Sequence, residues 1–372
     1  MSAGGPRRVL LAPVTATPTK PLTPSHVKFL LWTDVMYRAT ALLTGVTYRC
    51  SHTTYHPTEQ TLGFWAYLDR TRGEDDYEEL TEAQIGELYV AYRAEGRTAS
   101  GADLRPYEAA VEQGWVHPVS TRVLRQWTSH YARLGMHDPG LLAHQPPGLS
   151  LEETLGLLAE LNVLVDLRPL GGPVHLDLTR YGLPLRQIVG ADGRPNYLAC
   201  ALRELLPMAP EYDEVVLLRD PELDPDYQLL HRVLGLLGTR TRRFVIGRVP
   251  IDGTIRSARH GDWRGYDVPS LLAAVNGDGE QAAVRLGLRL YFITVLGPGP
   301  EQSLRLDLLR QCVARADRIL AARGTAPGDE VAPLLARHRS DHLYVNPYRL
   351  TAELFGRRRS TPHEALLAQV YL

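Results

Sequence analysis

The densest run of groups able to bind an anion lies near the N-terminus, where TPTKPLTPSH places Thr17, Lys20, Thr23, Ser25 and His26 within ten residues. Thr23-Pro24 pairs an N-cap residue with proline at the first helical position, so a helix should open there. The free N–H groups and partial positive charge of such a terminus suit phosphate. His26 can donate to a phosphate oxygen, and Thr23 and Ser25 add neutral donors. Lys20, one of two lysines in the chain, adds a charge. A second cationic run, Arg256, Arg259 and His260 around Ser257, falls in DGTIRSARHGDWRG. Both runs also have a plain explanation: Thr-Pro helix starts are common, and an arginine-rich chain carries many solvated arginines.

Other residues invite chemistry less strongly. Asp220, Glu222, Asp224 and Asp226 offer oxygen ligands for a divalent cation, but Pro221 and Pro225 break the run and a charged surface turn accounts for it. His52 and His56 stand four apart, yet Pro57 and a strand context argue against the helical spacing a metal pair needs. Cys50, Cys200 and Cys312 form no CxxC pair, which disfavours both a disulfide framework and a zinc knuckle. Cys200 falls in an apolar helical run and is expected to be inert core. No metal site is assigned.

The elements that would position these groups follow an α/β pattern. Val9 to Val14 is a short apolar run expected to be a buried strand. A helix from Thr23 to about Leu43 follows, closing at Gly45, and then a strand at Val46 to Ser51. From Asp69 to Gly148 the chain is charged and rich in helix formers, with helices expected at Glu82–Ala94, Leu104–Gln113 and Thr121–Leu134. A helix at Leu151–Leu161 and a strand at Val163–Leu167 come next. Val215–Leu218 and Phe244–Val249 are strands around a helix at Tyr227–Leu237, a short helix follows at Pro269–Val275, and Gly279 to Gly324 is helical with a break at Gly297–Pro300. The expected fold is a Rossmann-type parallel sheet with a helical insertion and a C-terminal helical segment, divided as 1–68, 69–162, 163–295 and 296–372. With 372 residues, 44% of them apolar, the chain can bury a substantial core. Its 41 basic and 42 acidic residues balance to a net −1, which gives no global electrostatic footprint for nucleic acid. No signal-like segment or membrane-length apolar run occurs, so a cytoplasmic protein is expected.

Four segments, in order, resemble the catalytic domain of arginyl-tRNA synthetases, a class I aminoacyl-tRNA synthetase family. In Thr17 to Arg38, Lys20-Pro21 and His26 match an Ala-Lys-Pro and the second His of a His-x-Gly-His motif, while Thr23 and Ser25 replace the first His and the Gly. Thr17 stands at a family Asn. In VHLDLTRYG and GADGRPNYLACALRELL, Asp177, Thr179, Gly182, Asp192, Gly193 and Tyr197 match, and Ala201 replaces a carboxylate that, with the tyrosine, binds the substrate guanidinium in the family. After Val215–Leu218 the family places Gly-Ala-Asp-His-His, lining the ATP site; here the sequence is RDPELDPDY. In Asp252 to Leu272, Ser257, Arg259 and Gly261 match a Lys-Met-Ser-Lys-Ser-type loop, with Ile255 at the leading Lys. His52 matches a family His on the second strand.

The resemblance implies ligase chemistry, with ATP and Mg2+ used to activate an amino-acid carboxylate. It assigns Lys20, His26 and Arg259 to catalysis, Thr23, Ser25, Arg256 and Ser257 to nucleotide binding, and Thr17, His52 and Tyr197 to the amino acid. With Ile255 at the leading Lys, Lys20 is expected to supply the missing charge. Without the carboxylate at Ala201, free arginine is a poor substrate. The acyl acceptor could be a tRNA acceptor stem or a small-molecule or peptide amine, as in specialised metabolism. The family's N-terminal tRNA domain has no counterpart and no room remains for a full anticodon domain, so anticodon reading is not expected. The rewritten motifs also admit two alternatives. One is a transferase that forms amides from aminoacyl-tRNA without ATP, for which Arg240, Arg242, Arg243 and Arg357 to Arg359 are the available basic clusters. The other is a non-catalytic subunit.

Overall fold

The computed structural model describes residues 7–14, 16–73, 76–97, 99–255, 261, 263–275, 280–322, 331–339, 341–356 and 364–372. Four strands, β1 (Arg8–Val14), β2 (Gly45–Cys50), β6 (Glu214–Arg219) and β7 (Thr241–Val245), form a parallel sheet in the order β2-β1-β6-β7. β1 and β6 read as continuous apolar runs because both faces are covered. Val9, Leu11, Val216 and Leu218 point into one core, and Leu10, Ala12, Val215 and Leu217 into the other. Strand order reverses between β1 and β6, the switch point at whose carboxyl edge open α/β sheets bind ligands. Helix α1 (Pro24–Ala41) leaves β1 through the Thr17–Thr23 loop and is closed by a capping box between Thr23 and His26.

Two expectations need correction. The strand expected at Val163–Leu167 does not extend the parallel sheet. It is β3 (Leu164–Asp166), which pairs antiparallel with β4 (Val174–Leu176), itself paired with β5 (Arg186–Val189), in a separate three-stranded sheet. The connection from β3 to β4 is a single short turn closing at Gly171 (φ 74°), long enough for a hairpin and too short for a parallel crossover. The strand expected at Phe244–Val249 instead covers Thr241–Val245. As the sheet edge it is half-buried to exposed beyond Thr241, and Arg242 and Arg243 hide it from an apolar-run criterion.

Between β2 and β3 lie α2 (Glu59–Arg72), which was not expected from the sequence, α3 (Glu82–Glu95), α4 (Gly101–Glu112), α5 (Pro118–Leu134) and α6 (Leu151–Glu160). Capping boxes at Thr81/Gln84, Ser100/Asp103 and Ser150/Glu153 fix three of their starts. α7 (Tyr197–Met208) and α8 (Asp224–Leu236) cover the second core. Beyond the sheet lie α9 (Val268–Val275), α10 (Gln281–Arg289, continued by a π-turn to Val295), α11 (Leu306–Ala321), α12 (Val331–Ala336) and α13 (Pro347–Phe355). α10 is tied to α1 by the buried pair Arg289–Asp34 at 2.6 Å, whose other carboxylate oxygen accepts from Arg38 and from the backbone of His137.

One face of α3 holds the two loops that carry the sequence motifs. The Glu82 carboxylate, 6% exposed, accepts from Leu22 N–H (2.8 Å), Trp127 Nε1 (2.8 Å) and His130 Nε2 (2.6 Å). One turn on, a Cβ at Gly86 would stand 2.6 Å from both Pro21 and Trp263, so only glycine lets α3 touch both loops. Glu87 pairs with Arg264 at 2.5 Å, and the Tyr89 ring lies 5.0 Å beneath the Lys20 ammonium. Replacing Glu82 strands three buried donors. Glu82→Ala is therefore expected to lower unfolding free energy by about 2–4 kcal/mol, read from urea denaturation, whereas Glu87→Ala at the exposed pair should change it by about 1 kcal/mol or less.

Candidate functional site

The switch-point crevice gathers cations around the start of α1. Thr23 N–H donates to His26 Nδ1 at 3.0 Å. A backbone amide can only donate, so Nδ1 is the acceptor and the imidazole proton sits on Nε2. Burial, then Lys20, then Arg248 lower the His26 pKa to about 3, and the ring is a neutral donor at physiological pH. Ser25 Oγ accepts from Val249 N–H at 2.9 Å, which ties the helix terminus to the segment after β7 and brings Arg248 alongside. Arg248 was not singled out from sequence; its only signal is a lone cation just past an edge strand. It pairs with Asp220 (3.0 Å) and Glu222 (2.8 Å).

The amino-acid candidates meet through a residue that no motif marks. Gln60, in the first turn of α2, donates from Nε2 to Thr17 Oγ1 at 3.2 Å and accepts from Tyr197 Oη at 2.9 Å. Thr17 and Tyr197 are thus joined across 180 residues of chain by one side-chain amide. Tyr197 opens α7 behind the Asn196 cap and stacks on Tyr55 with ring centroids 5.2 Å apart. Behind that pair lies a cavity of about 210 Å³ that Ala201 lines with Tyr227. On the other side of Tyr197, a polar cleft of about 600 Å³ is bounded by Gln60, Arg93, Arg97 and Arg194.

Other candidates sit elsewhere. His52 is 2% exposed, with Nδ1 3.4 Å from Cys50 Sγ and its ring edge-on to His56. Asp220, Glu222, Asp224 and Asp226 each pair with an arginine: Arg248 takes the first two, Arg243 and Arg219 take Asp224, and Arg186 takes Asp226. Cys200 is buried, and burial raises its thiol to about 12, which leaves it unreactive at physiological pH. Arg256, Ser257, Arg259 and His260 lie outside the described residues, as do Arg357 to Arg359. Ile255, at the position of the motif's leading Lys, is exposed. The described part places a neutral imidazole at the start of α1, near Lys20 and the acid-paired Arg248, with a hydrogen-bonded aromatic pair at the start of α7.

This is the α/β fold of class I aminoacyl-tRNA synthetase catalytic domains. The chain superposes on Thermus thermophilus arginyl-tRNA synthetase with a TM-score of 0.58 at 15% identity, over 97% of this chain and 77% of that one. It superposes on Plasmodium falciparum arginyl-tRNA synthetase with a TM-score of 0.56 at 11% identity, over 83% of this chain and 56% of that one. At such identities the likeness establishes the fold alone. No protein-family profile matches the sequence, and no curated protein matches it. No helix among the described residues is long and apolar enough to cross a membrane.

Burial lowers His52 to about 4 and His56 to about 3. The unfolded chain binds these protons near pH 6.5 and the folded one does not, so stability is full above pH 6.5 and falls as pH drops toward 4. Each histidine contributes a slope of up to about 1.4 kcal/mol per pH unit in that window. In urea titrations between pH 6 and 4, His52→Gln and His56→Gln should each flatten the slope; an unchanged slope would show that these rings protonate without unfolding.

Proposed function

We propose that this chain is a synthetase-derived ligase that activates an amino-acid carboxylate with ATP and passes the acyl group to an amine or hydroxyl acceptor. The observation that carries the proposal is the neutral His26, its Nδ1 taken up by Thr23 N–H and its Nε2–H left to donate at the N-terminus of α1. Lys20 is on the same loop, and Arg248, paired to Asp220 and Glu222, is tied nearby through Val249 and Ser25. ATP is the co-substrate: a carboxylate oxygen bonds to its α-phosphorus and the bond to pyrophosphate breaks. The barrier is charge gathering on the phosphate oxygens, which preorganised donors and cations lower. His26 donates, Lys20 supplies charge, and Ser25 keeps Arg248 within reach by holding Val249. Thr23 fixes the imidazole tautomer and caps the helix. Arg256, Ser257 and Arg259 are proposed to add phosphate contacts from the fourth segment. Thr17, Gln60 and Tyr197 form the ledge on which the amino acid would lie. Magnesium, which the resemblance implies, would help to neutralise charge on the phosphates.

The arginine-paired acids after β6 favour one rival. They occupy the segment where the resembled family lines its ATP site, which suits a transferase that takes ready-made aminoacyl-tRNA and has no need of ATP.

Pyrophosphate exchange, screened across amino acids, separates the two. The ligase should show ATP-dependent exchange with at least one amino acid. Lys20→Ala should cut it by about 10²–10³, Lys20→Arg should restore part, and Arg248→Ala should lower it by about tenfold or more. Folded protein with no exchange for any amino acid, but with salt-sensitive binding of aminoacyl-tRNA, would establish the transferase instead.

A further inference from the structure

The cavity behind Tyr197 has a shape and lining that select a substrate. At about 210 Å³ it is smaller than the usual pocket for a whole ligand and suits one side chain. The Tyr55–Tyr197 stack lines it, with ring centroids 5.2 Å apart and planes inclined by 30°. Ala201, Leu223 and Leu230 supply apolar lining, and Tyr227 adds a third ring. Three aromatic rings around an apolar floor favour a flat ring, which gains offset or edge-on contacts beyond its burial.

The polar atoms point the same way. Neither the Tyr55 nor the Tyr227 hydroxyl makes a hydrogen bond among the described residues. Burial holds both phenols well above their ordinary pKa, so they remain neutral. They can meet a hydroxyl on an incoming ring, and they offer no charge. The one carboxylate at the rim, Asp226, is paired with Arg186 at 2.8 Å. A guanidinium or ammonium entering here would lose much of its water without gaining a free counter-charge, which is costly in a largely apolar recess.

We infer that this cavity receives the side chain of an aromatic amino acid, phenylalanine or tyrosine in type, and discriminates against arginine and lysine. The inference rests on the ligase proposal, since it treats the ledge beside the cavity as the place where the amino acid lies.

The test is calorimetric binding of 5′-sulfamoyladenosine and its phenylalanyl, tyrosyl, leucyl and arginyl derivatives, with saturation-transfer NMR of free phenylalanine and tyrosine. The phenylalanyl or tyrosyl derivative should bind at least tenfold tighter than the leucyl and the arginyl. Ala201→Met fills the floor, and Leu223→Trp fills the half-exposed wall should the first variant not fold. Each should cost the aromatic derivatives tenfold or more and leave 5′-sulfamoyladenosine unchanged. If 5′-sulfamoyladenosine binds but the arginyl or leucyl derivative binds tightest, the aromatic assignment is overturned and the ligase proposal stands. If free aromatic amino acids bind, and are lost in the variants, while no adenosine derivative binds, the cavity assignment stands and the ligase proposal falls. Absence of binding by every probe overturns both.

Discussion

The buried carboxylate of Glu82 is the contact on which the arrangement of the crevice depends. It belongs to α3, in the insertion, yet it grips the backbone of Leu22 in the loop between β1 and α1. The neighbouring turns of the same face reach Pro21, Lys20, Trp263 and Arg264. Loops at the carboxyl edge of a parallel sheet have few backbone partners of their own. A helix lying over two of them, with glycine at the closest approach, fixes their separation. α3 is thus the part that holds the Lys20 loop, which leads into His26 and α1, against Trp263 and Arg264 of the fourth segment.

Charge is spent in a consistent way around this crevice. The chain has many arginines, and most near the sheet edge are committed to acids: Arg186, Arg219, Arg243 and Arg248 cover the run after β6. Deeper in, Arg289 and Asp34 are both buried and join α1 to α10, an arrangement in which removing either partner would leave an uncompensated charge. His26 is kept neutral by burial and by two nearby cations. It can therefore contribute a directed N–H, with charge left to Lys20.

Much of this was legible in the sequence, for reasons that can be named. β1 showed as an apolar run because it is covered on both faces, and α1 showed through Thr23-Pro24. The helices α3 to α6 showed as charged runs rich in helix formers, and their bounds agree within a few residues, whereas α2 (Glu59–Arg72) was not expected. α5 starts three residues earlier than expected because its cap is His117, an uncommon capping residue, ahead of Pro118. Of the small antiparallel sheet, β3 showed as a strand while β4 and β5 were missed, because strands of three or four residues leave little periodicity. Gln60 and Arg248 were missed because they belong to no local motif. Gln60 matters only through Thr17 and Tyr197, which lie 43 and 137 residues away.

The central claim, that the start of α1 is a phosphate site built on a neutral His26, is tested most directly by 15N NMR of the His26 side chain during an ATP titration. The account predicts an Nε2-protonated tautomer from pH 7 down to about 5. It also predicts a saturable shift of the Nε2 resonance on adding ATP, with Nδ1 remaining unprotonated, and loss of that shift in Lys20→Ala. A His26 ring protonated on Nδ1, or Nε2 unmoved by saturating ATP in folded protein, would contradict it.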